Sequence, residues 1–452
     1  MPDMDTTFAS DDLAPLHARL ARANLAQAVA YPGARGARQP VHTFYGGAHL
    51  FTPDTPAKLG ALARLALAAH APDPRALAEV FGLGSEVSEA IHPRLAGKLT
   101  AEPIEDYRID FEDGYGHRSD TEEDTHAAGA ARAVAAGLAA GTMPPFLGIR
   151  IKPLADDLRE RSVRTLDLFM TTLAREAGSR LPERFAVTLP KVTSREQVSV
   201  LAELLDRLEE KLGWPQGALG LELMVETPQA LLDASGRVAL PDLVRAADGR
   251  CLGAHFGPYD YTASLDITAA HQRLDHPACD FARQMIRAAV AGTGLWLADG
   301  PTTTMPIAPH RASPDRPLTS DQLADNRAVI HRAWRLHYDH VRHGLADGYY
   351  QGWDLHPAQL PVRYAAVYAF FQEGLRATAE RLRAFMAQSA RATRVGDVFD
   401  DAATGQGLLN HFLRAVGCGA ITEAEAIEHG GLTLSELGTR SFLKILEGRR
   451  PR

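Results

Sequence analysis

A chain of 452 residues with 45% hydrophobic and 23% charged residues carries enough apolar material for a large core. Its net charge of −8 gives it no field that would draw nucleic acid or an anionic membrane, so an anionic substrate must be met by locally placed arginine, lysine or metal. Three cysteines, Cys251, Cys279 and Cys418, with no Cys-x-x-Cys among them, exclude a disulfide framework and a zinc knuckle.

In chain order, the acidic start Met1-Pro-Asp-Met-Asp has no apolar run, so no signal peptide is expected. No stretch approaches membrane-spanning length, and a reducing cytoplasm is the expected compartment. Residues 11–30 carry Leu13, Leu16, Leu20 and Leu25 near one face, which predicts an amphipathic helix covering one end of the main domain. Pro32-Gly-Ala-Arg-Gly ends it.

Strand-like runs then alternate with helical patterns. Val41 to Tyr45 and His49 to Pro53 compete for the first strand, the pair Gly46-Gly47 blurring the choice. The second is Tyr107-Arg-Ile-Asp-Phe-Glu-Asp-Gly114, the third Phe146-Leu-Gly-Ile-Arg-Ile-Lys-Pro153 and the fourth Phe185-Ala-Val-Thr-Leu-Pro-Lys191. The fifth ends at Glu226, the sixth at Asp260; Gly294 to Pro301 and Tyr349 to Pro357 are the seventh and eighth. Eight such units predict an α/β fold, a (β/α)8 TIM barrel over residues 41–365. Residues 1–40 form an N-terminal helical extension, and residues 366–452 an appended C-terminal helical subdomain. Met305–Thr319 is a long loop and a candidate lid, with a plain surface excursion as the other reading. Thr422 to Glu425 fits a capping box.

Nearly every predicted strand stops on a charged group followed by glycine or proline. A barrel builds its active site from those carboxyl ends. Glu226 and Asp260, hard oxygen ligands on neighbouring units, could hold one Mg²⁺ and leave positions open. Taken alone, each could equally be a helix cap or a loop carboxylate. Arg150 is planar, permanently charged and bidentate, suited to a carboxylate or a developing oxyanion, or else to a strand-end ion pair with Glu112 or Asp113.

Read together, these segments resemble the HpcH/HpaI aldolase and citrate lyase β-subunit superfamily, the phosphoenolpyruvate/pyruvate-binding barrels that include malate synthase. Leu50-Phe-Thr-Pro looks like the family's opening strand, and Asp110-Phe-Glu-Asp113 like its acidic motif, closest to that of malate synthases. Ile149-Arg-Ile-Lys152, Leu189-Pro-Lys191 and Leu355-His-Pro-Ala-Gln359 match further family segments. The resemblance covers about residues 41–365 and places Glu226 and Asp260 on the metal ligands.

What the resemblance implies is a divalent-metal-dependent carbon–carbon lyase or aldolase acting on a pyruvate- or oxaloacetate-like 2-oxo acid through a metal-stabilised enolate. Mg²⁺ is the expected metal, with Mn²⁺ or Co²⁺ as substitutes. Arg150, Glu112, Asp113 and His356 are the catalytic candidates, and Arg150, Lys191, Gly257 and Pro258 the substrate-binding ones. The proton-transfer residue stays open among Asp113, His49, His356 and a C-terminal acid. Lys191 or Lys152 would form a Schiff base only in a metal-independent enzyme. The alternatives are a malate-synthase-like enzyme condensing an acyl-CoA with a 2-oxo acid, the only case needing a CoA thioester, and a non-catalytic binder of such metabolites. The small-molecule substrate is the expected partner, without nucleic acid or membrane, in a homo-oligomer.

Overall fold

The computed structural model describes residues 7–33, 38–178, 180–182, 184–313, 315–387, 393–395, 398–400 and 402–449. Its centre is a closed barrel of eight parallel strands in sequence order. These are β1 (His42–Gly47), β2 (Asp106–Asp110), β3 (Phe146–Arg150), β4 (Ala186–Leu189), β5 (Gly220–Val225), β6 (Cys251–Phe256), β7 (Trp296–Pro301) and β8 (Gln351–Asp354). All eight coincide with predicted runs. Asp110 pairs in register with Gly47 on one side and Arg150 on the other, which fixes Asp110 and Arg150 at one height.

Two strand ends differ from expectation. The double glycine is the end of β1, and Leu50-Phe-Thr-Pro53 lies beyond it, in a 3-10 turn and loop leading into helix Thr55–His70. Gly46 belongs there because a Cβ would collide with the Tyr107 side chain. β6 stops at Phe256, so Asp260 rides on the short helix Pro258–Ser264 instead of a strand.

The surrounding helices begin where side chains satisfy their first amides. Ser119 with Glu122, Ser194 with Gln197 and Thr319 with Gln322 form capping boxes, and glycines in left-handed conformation close two of these helices at Gly141 and Gly213. The predicted box at Thr422 and Glu425 is present, the Thr422 hydroxyl accepting from the Glu425 amide at 3.1 Å.

The C-terminal region breaks more often than its periodicity indicates. The sequence pattern predicts one helix over 364–390 and another from 401 to 416; in place of the first the structure has two helices, Leu360–Gln372 and Leu375–Ala387, separated at Gly374, whose φ is 74°. Residues 388–390 and Asp401, placed in helices by the periodicity, lie outside the described residues. A hairpin of Thr393–Val395 and Val398–Asp400 precedes helix Ala402–Gly417. Helix Leu360–Gln372 is buried on almost all sides and spans residue 365, so no linker separates it from the barrel.

The N-terminal helix forms over Ser10–Ala30, but its apolar residues do not cover the barrel: Leu16, Leu20, Leu25 and Val29 are all exposed. The loop over 305–319 is tied down. His310 donates its amide to Asn326 and its ring meets Asp325 at 2.7 Å, both on helix Ser320–Ala346. Cys251 is a core residue, and burial pushes the thiols of Cys279 and Cys418 up to about 12, so neither is a reactive thiolate. Among the described residues no helix is long and apolar enough to cross a membrane.

Candidate active site at the carboxyl ends of the strands

Alternate residues of a strand face the barrel interior, and here many of them are charged. On β2 these are Asp106, Arg108 and Asp110. Arg108 donates to both carboxylate oxygens of Glu222 on β5, at 2.9 and 2.6 Å, and pairs with Asp106. His255 on β6 closes this layer, bonding the Tyr45 hydroxyl at 3.0 Å. It is packing, a hydrogen-bonded floor beneath the site.

The next layer up is the site. Arg150 is buried and donates through Nε and Nη2 to the two oxygens of Asp110, at 2.7 and 2.5 Å. Its guanidinium carbon lies 5.1 Å from the Tyr45 ring and 5.4 Å from the Trp353 ring. Its remaining nitrogen, Nη1, lies 3.2 Å from Glu112 and 3.7 Å from Asp113 and makes no hydrogen bond among the described residues. The ion pairs expected with Glu112 and Asp113 are both present, and a shorter one with Asp110 is added to them. Asp110 also accepts from the amides of Glu112 and Gly114, and so shapes the loop that carries the other two acids.

Lys191 gathers the site's carboxylates. Its ammonium pairs with Glu112 and lies 3.5 Å from both Asp113 and Asp260. Its backbone sits at φ 50°, a conformation most residues avoid, and this aims its amide at Glu226 Oε1, 2.7 Å away. Partial burial acts against its charge, but Glu226, Glu112 and Asp113 together raise its pKa well above the ordinary lysine value. Burial also raises Glu112, against the opposing fields of Arg150 and Lys191. Asp113, more exposed, is held low despite some burial by its hydrogen bond with Glu112 and by Arg150 and Lys191.

Glu226 is 1% exposed, and burial, with the nearby charge of Asp260, pushes its carboxyl up to about 8. Among the described residues no hydrogen bond reaches its second oxygen. A buried acid with a free oxygen, facing a second acid across a shared lysine, fits a hard divalent cation. Gly257 lines the gap, since a Cβ there would come within 2.6 Å of Glu226 Cβ and Oε2. Gly257→Ala is therefore expected to displace Glu226 and weaken metal binding by about tenfold or more while the chain still folds. Titration with Mg²⁺ checks this; unchanged affinity counts against the assignment.

The structure thus brings together Arg150, Glu112, Asp113, Lys191, Glu226 and Asp260, with Gly257 and Pro258 beside them. It does not bring in His356, whose Nδ1 accepts from the Ala358 amide at 3.2 Å and which lines a separate apolar cavity with Leu62 and Ile307. His49 packs edge-on to Tyr115 and His126. Lys152 points away from the mouth, donating to the Phe111 carbonyl and pairing with Glu123. Of the C-terminal acids, Glu425 and Glu436 are committed to Arg94 and Arg449, and Asp397 and Asp401 lie outside the described residues. The residues missed from sequence are Asp110 as the partner of Arg150, and Tyr45 and Trp353 as its walls. The alternation of charges at 106, 108 and 110 was the available signal.

The fold is similar to that of solved citrate-lyase-type proteins. A citrate lyase from Burkholderia xenovorans LB400 superposes with a TM-score of 0.54 at 22% identity, over 74% of this chain and 91% of that one. The CitE protein of Mycobacterium tuberculosis, solved with magnesium, acetoacetate and coenzyme A, gives 0.50 at 16% identity, over 84% and 99%. An L-malyl-CoA/β-methylmalyl-CoA lyase from Haloarcula marismortui is 33% identical over 108 residues, 24% of this chain and 28% of that relative's length. The chain belongs to the family described as domain of unknown function DUF6986, which matches residues 20–445.

Proposed function

We propose that the protein makes or breaks a carbon–carbon bond beside the carbonyl of a 2-oxo acid, with a divalent cation held by Glu226 and Asp260. One observation carries this reading: Arg150, Lys191, Glu112, Glu226 and Asp260 converge at the mouth of one barrel. The cation, when bound, supplies Lewis acidity toward the carbonyl oxygen.

Arg150 offers its free Nη1–H to the substrate carboxylate or to the oxygen that gains charge. Tyr45 and Trp353 hold the plane of that guanidinium, and Asp110 holds its direction. Burial shifts the Glu112 carboxyl up, while the hydrogen bond with Glu112 and the charges of Arg150 and Lys191 shift that of Asp113 down, so of the two Glu112 is the readier to take a proton. Lys191, kept charged by three acids, orients them. A charged ammonium is no nucleophile, so no Schiff base forms there.

A second reading is supported by the likeness to a malyl-CoA lyase over 108 residues. Cleavage of a 3-hydroxyacyl-CoA and condensation of an acyl-CoA with a 2-oxo acid are one reaction run in opposite directions; in it the thioester forms the enolate and the carbonyl carbon of the 2-oxo acid is the electrophile, so the same cation would polarise the carbonyl that is attacked. Two assays with Mg²⁺ separate the readings: pyruvate with a panel of aldehydes, and acetyl-CoA with glyoxylate. EDTA is expected to abolish the active one, and Mg²⁺, Mn²⁺ or Co²⁺ to restore it. Borohydride with substrate is expected to leave activity intact. Turnover in EDTA, or trapping at Lys191 or Lys152, overturns the proposal.

A further inference from the structure

The amino-terminal helix Ser10–Ala30 is an arm without cover. From residue 11 to residue 30 every residue is exposed except Leu13, which is half-buried. Among the described residues no side chain of that stretch is hydrogen-bonded or ion-paired to the barrel. The base of the arm is fixed. The Gly33 amide donates to the Gly292 carbonyl at 2.8 Å, just before β7, and Tyr31 lies against Gly292. At about 100° per residue, Leu13, Leu16 and Leu20 fall within about 60° of one another, with Arg19 on one flank of that seam and His17 on the other. Leu25 and Val29 are on the far side of the helix. A helix with an apolar seam and no tertiary packing is marginal in water.

A groove of the matching kind lies elsewhere on the same chain. The helices that follow β3 and β4, Arg159–Ala177 and Arg195–Leu212, leave an open space of about 600 Å³ between their first turns. Leu154, Val163 and Val200 line it, Val200 being 49% exposed. Its lips carry Glu160 on one helix and Glu196 on the other, neither of which has a cationic partner among the described residues. The two arginines there, Arg159 and Arg164, are neutralised by Asp156 and Asp124. The groove is thus an apolar centre between two unpaired acids, and the arm is an apolar seam between two basic side chains.

We propose that the arm of one copy of this chain docks in the groove of a second copy, with Leu13, Leu16 and Leu20 entering between Leu154, Val163 and Val200. Helices with anchors at spacings of three and four residues fill such grooves along their apolar face. Arg19 and His17 then face the acids on the lips. The arm does not reach the groove of its own chain. Its base is at the amino end of β7, whereas the groove is at the other end of the barrel and beside β4, three strands away. A straight helix of about 30 Å cannot curve round that path. The contact is head to tail, since the arm and the groove are different surfaces, so it closes a ring or extends a chain of copies.

The test is sedimentation velocity on the full-length protein from about 1 to 100 μM, the range in which a small interface dissociates. The parent is expected to associate as its concentration rises. Two variants are expected to sediment as monomers throughout: Leu16→Asp combined with Leu20→Asp in the arm, and Val200→Asp in the groove. Each is expected to unfold within a few degrees of the parent, because the substituted side chains are exposed. Leu25→Asp, off the seam, is expected to associate as the parent does. Mixing the two monomeric variants is the decisive measurement. One keeps an intact groove and the other an intact arm, so the mixture is expected to give a 1:1 dimer and nothing larger. The proposal is overturned if the parent is monomeric at every concentration, if either the arm or the groove variant associates as the parent does, if Leu25→Asp is also monomeric, or if the mixture stays monomeric.

Discussion

Arg150→Lys is expected to lower turnover by about 10²–10³, the usual loss when a donor aimed at developing negative charge is removed. Lysine keeps the charge but not the fork. In this site the fork has two tasks. Nε and Nη2 are spent on Asp110, and only Nη1 remains for the substrate. A lysine ammonium reaching Asp110 would leave nothing in the place of Nη1. The loss should appear mainly in kcat, because charge on the carbonyl oxygen grows on the way to the transition state. Folding should suffer as well. An arginine at an open barrel mouth could be replaced with little change in stability, but Arg150 is buried and paired with Asp110. Losing one charge-assisted bond of the pair costs about 1.5–3 kcal/mol, which lowers Tm by several degrees. Asp110→Asn should be worse for stability, about 3–5 kcal/mol, since it strands a buried guanidinium and releases the amides of Glu112 and Gly114. Steady-state kinetics and thermal unfolding on the two variants separate these effects. Near-normal kcat in Arg150→Lys would remove the residue from the chemistry.

Metal-free protein is expected to lose stability as the pH rises from about 5 to 8, and Glu226→Gln to remove most of that loss. The sign follows from the direction of the shift. Burial raises the Glu226 carboxyl from 4.5 to about 8, with Asp260 adding to the rise and Lys191 opposing it. Between those values the folded chain holds a proton that the unfolded chain has released. The stabilisation is therefore complete below the unfolded pKa and is lost as the pH rises through the folded one. Its size is on the order of a few kcal/mol, at about 1.4 kcal/mol for each pKa unit. A divalent cation competes with that proton. Binding near pH 7 should release a proton, and affinity should climb with pH until Glu226 is ionised without help. Denaturant unfolding in EDTA at pH 5 and pH 8 measures the first effect. Mg²⁺ titration in two buffers of different ionisation heat measures the second. Parallel pH profiles for parent and Glu226→Gln would show that Glu226 is not the titrating group. The same variant should have no measurable turnover at any Mg²⁺ concentration the parent uses.

The strand order and the end of the barrel at which the candidate site lies were legible in the chain itself. Period-2 and apolar runs mark strands because side-chain direction is set by local backbone geometry, and a charged residue before a glycine or proline marks where each run ends. Capping is equally local: Thr422 and Glu425 satisfy each other's amides three residues apart, whatever the rest of the chain does. Glu226, Asp260, Arg150, Glu112 and Lys191 were named from those ends. Which groups they face was not legible, because pairing across a barrel depends on register between strands far apart in sequence. Asp110 and Arg150 are 40 residues apart and meet only because β2 and β3 pair residue for residue. Lys191 reaches Glu112 across 79 residues, from a left-handed backbone that no composition rule announces. His356 and Lys152 had residue types suited to catalysis, yet the turn at Pro357 and the carboxylate of Glu123 claim them. The N-terminal helix makes the same point from the opposite side. Its leucine spacing is enough to form a helix over Ser10–Ala30, but only tertiary packing decides whether a helix face is covered, and in this chain Leu16, Leu20 and Leu25 stay exposed.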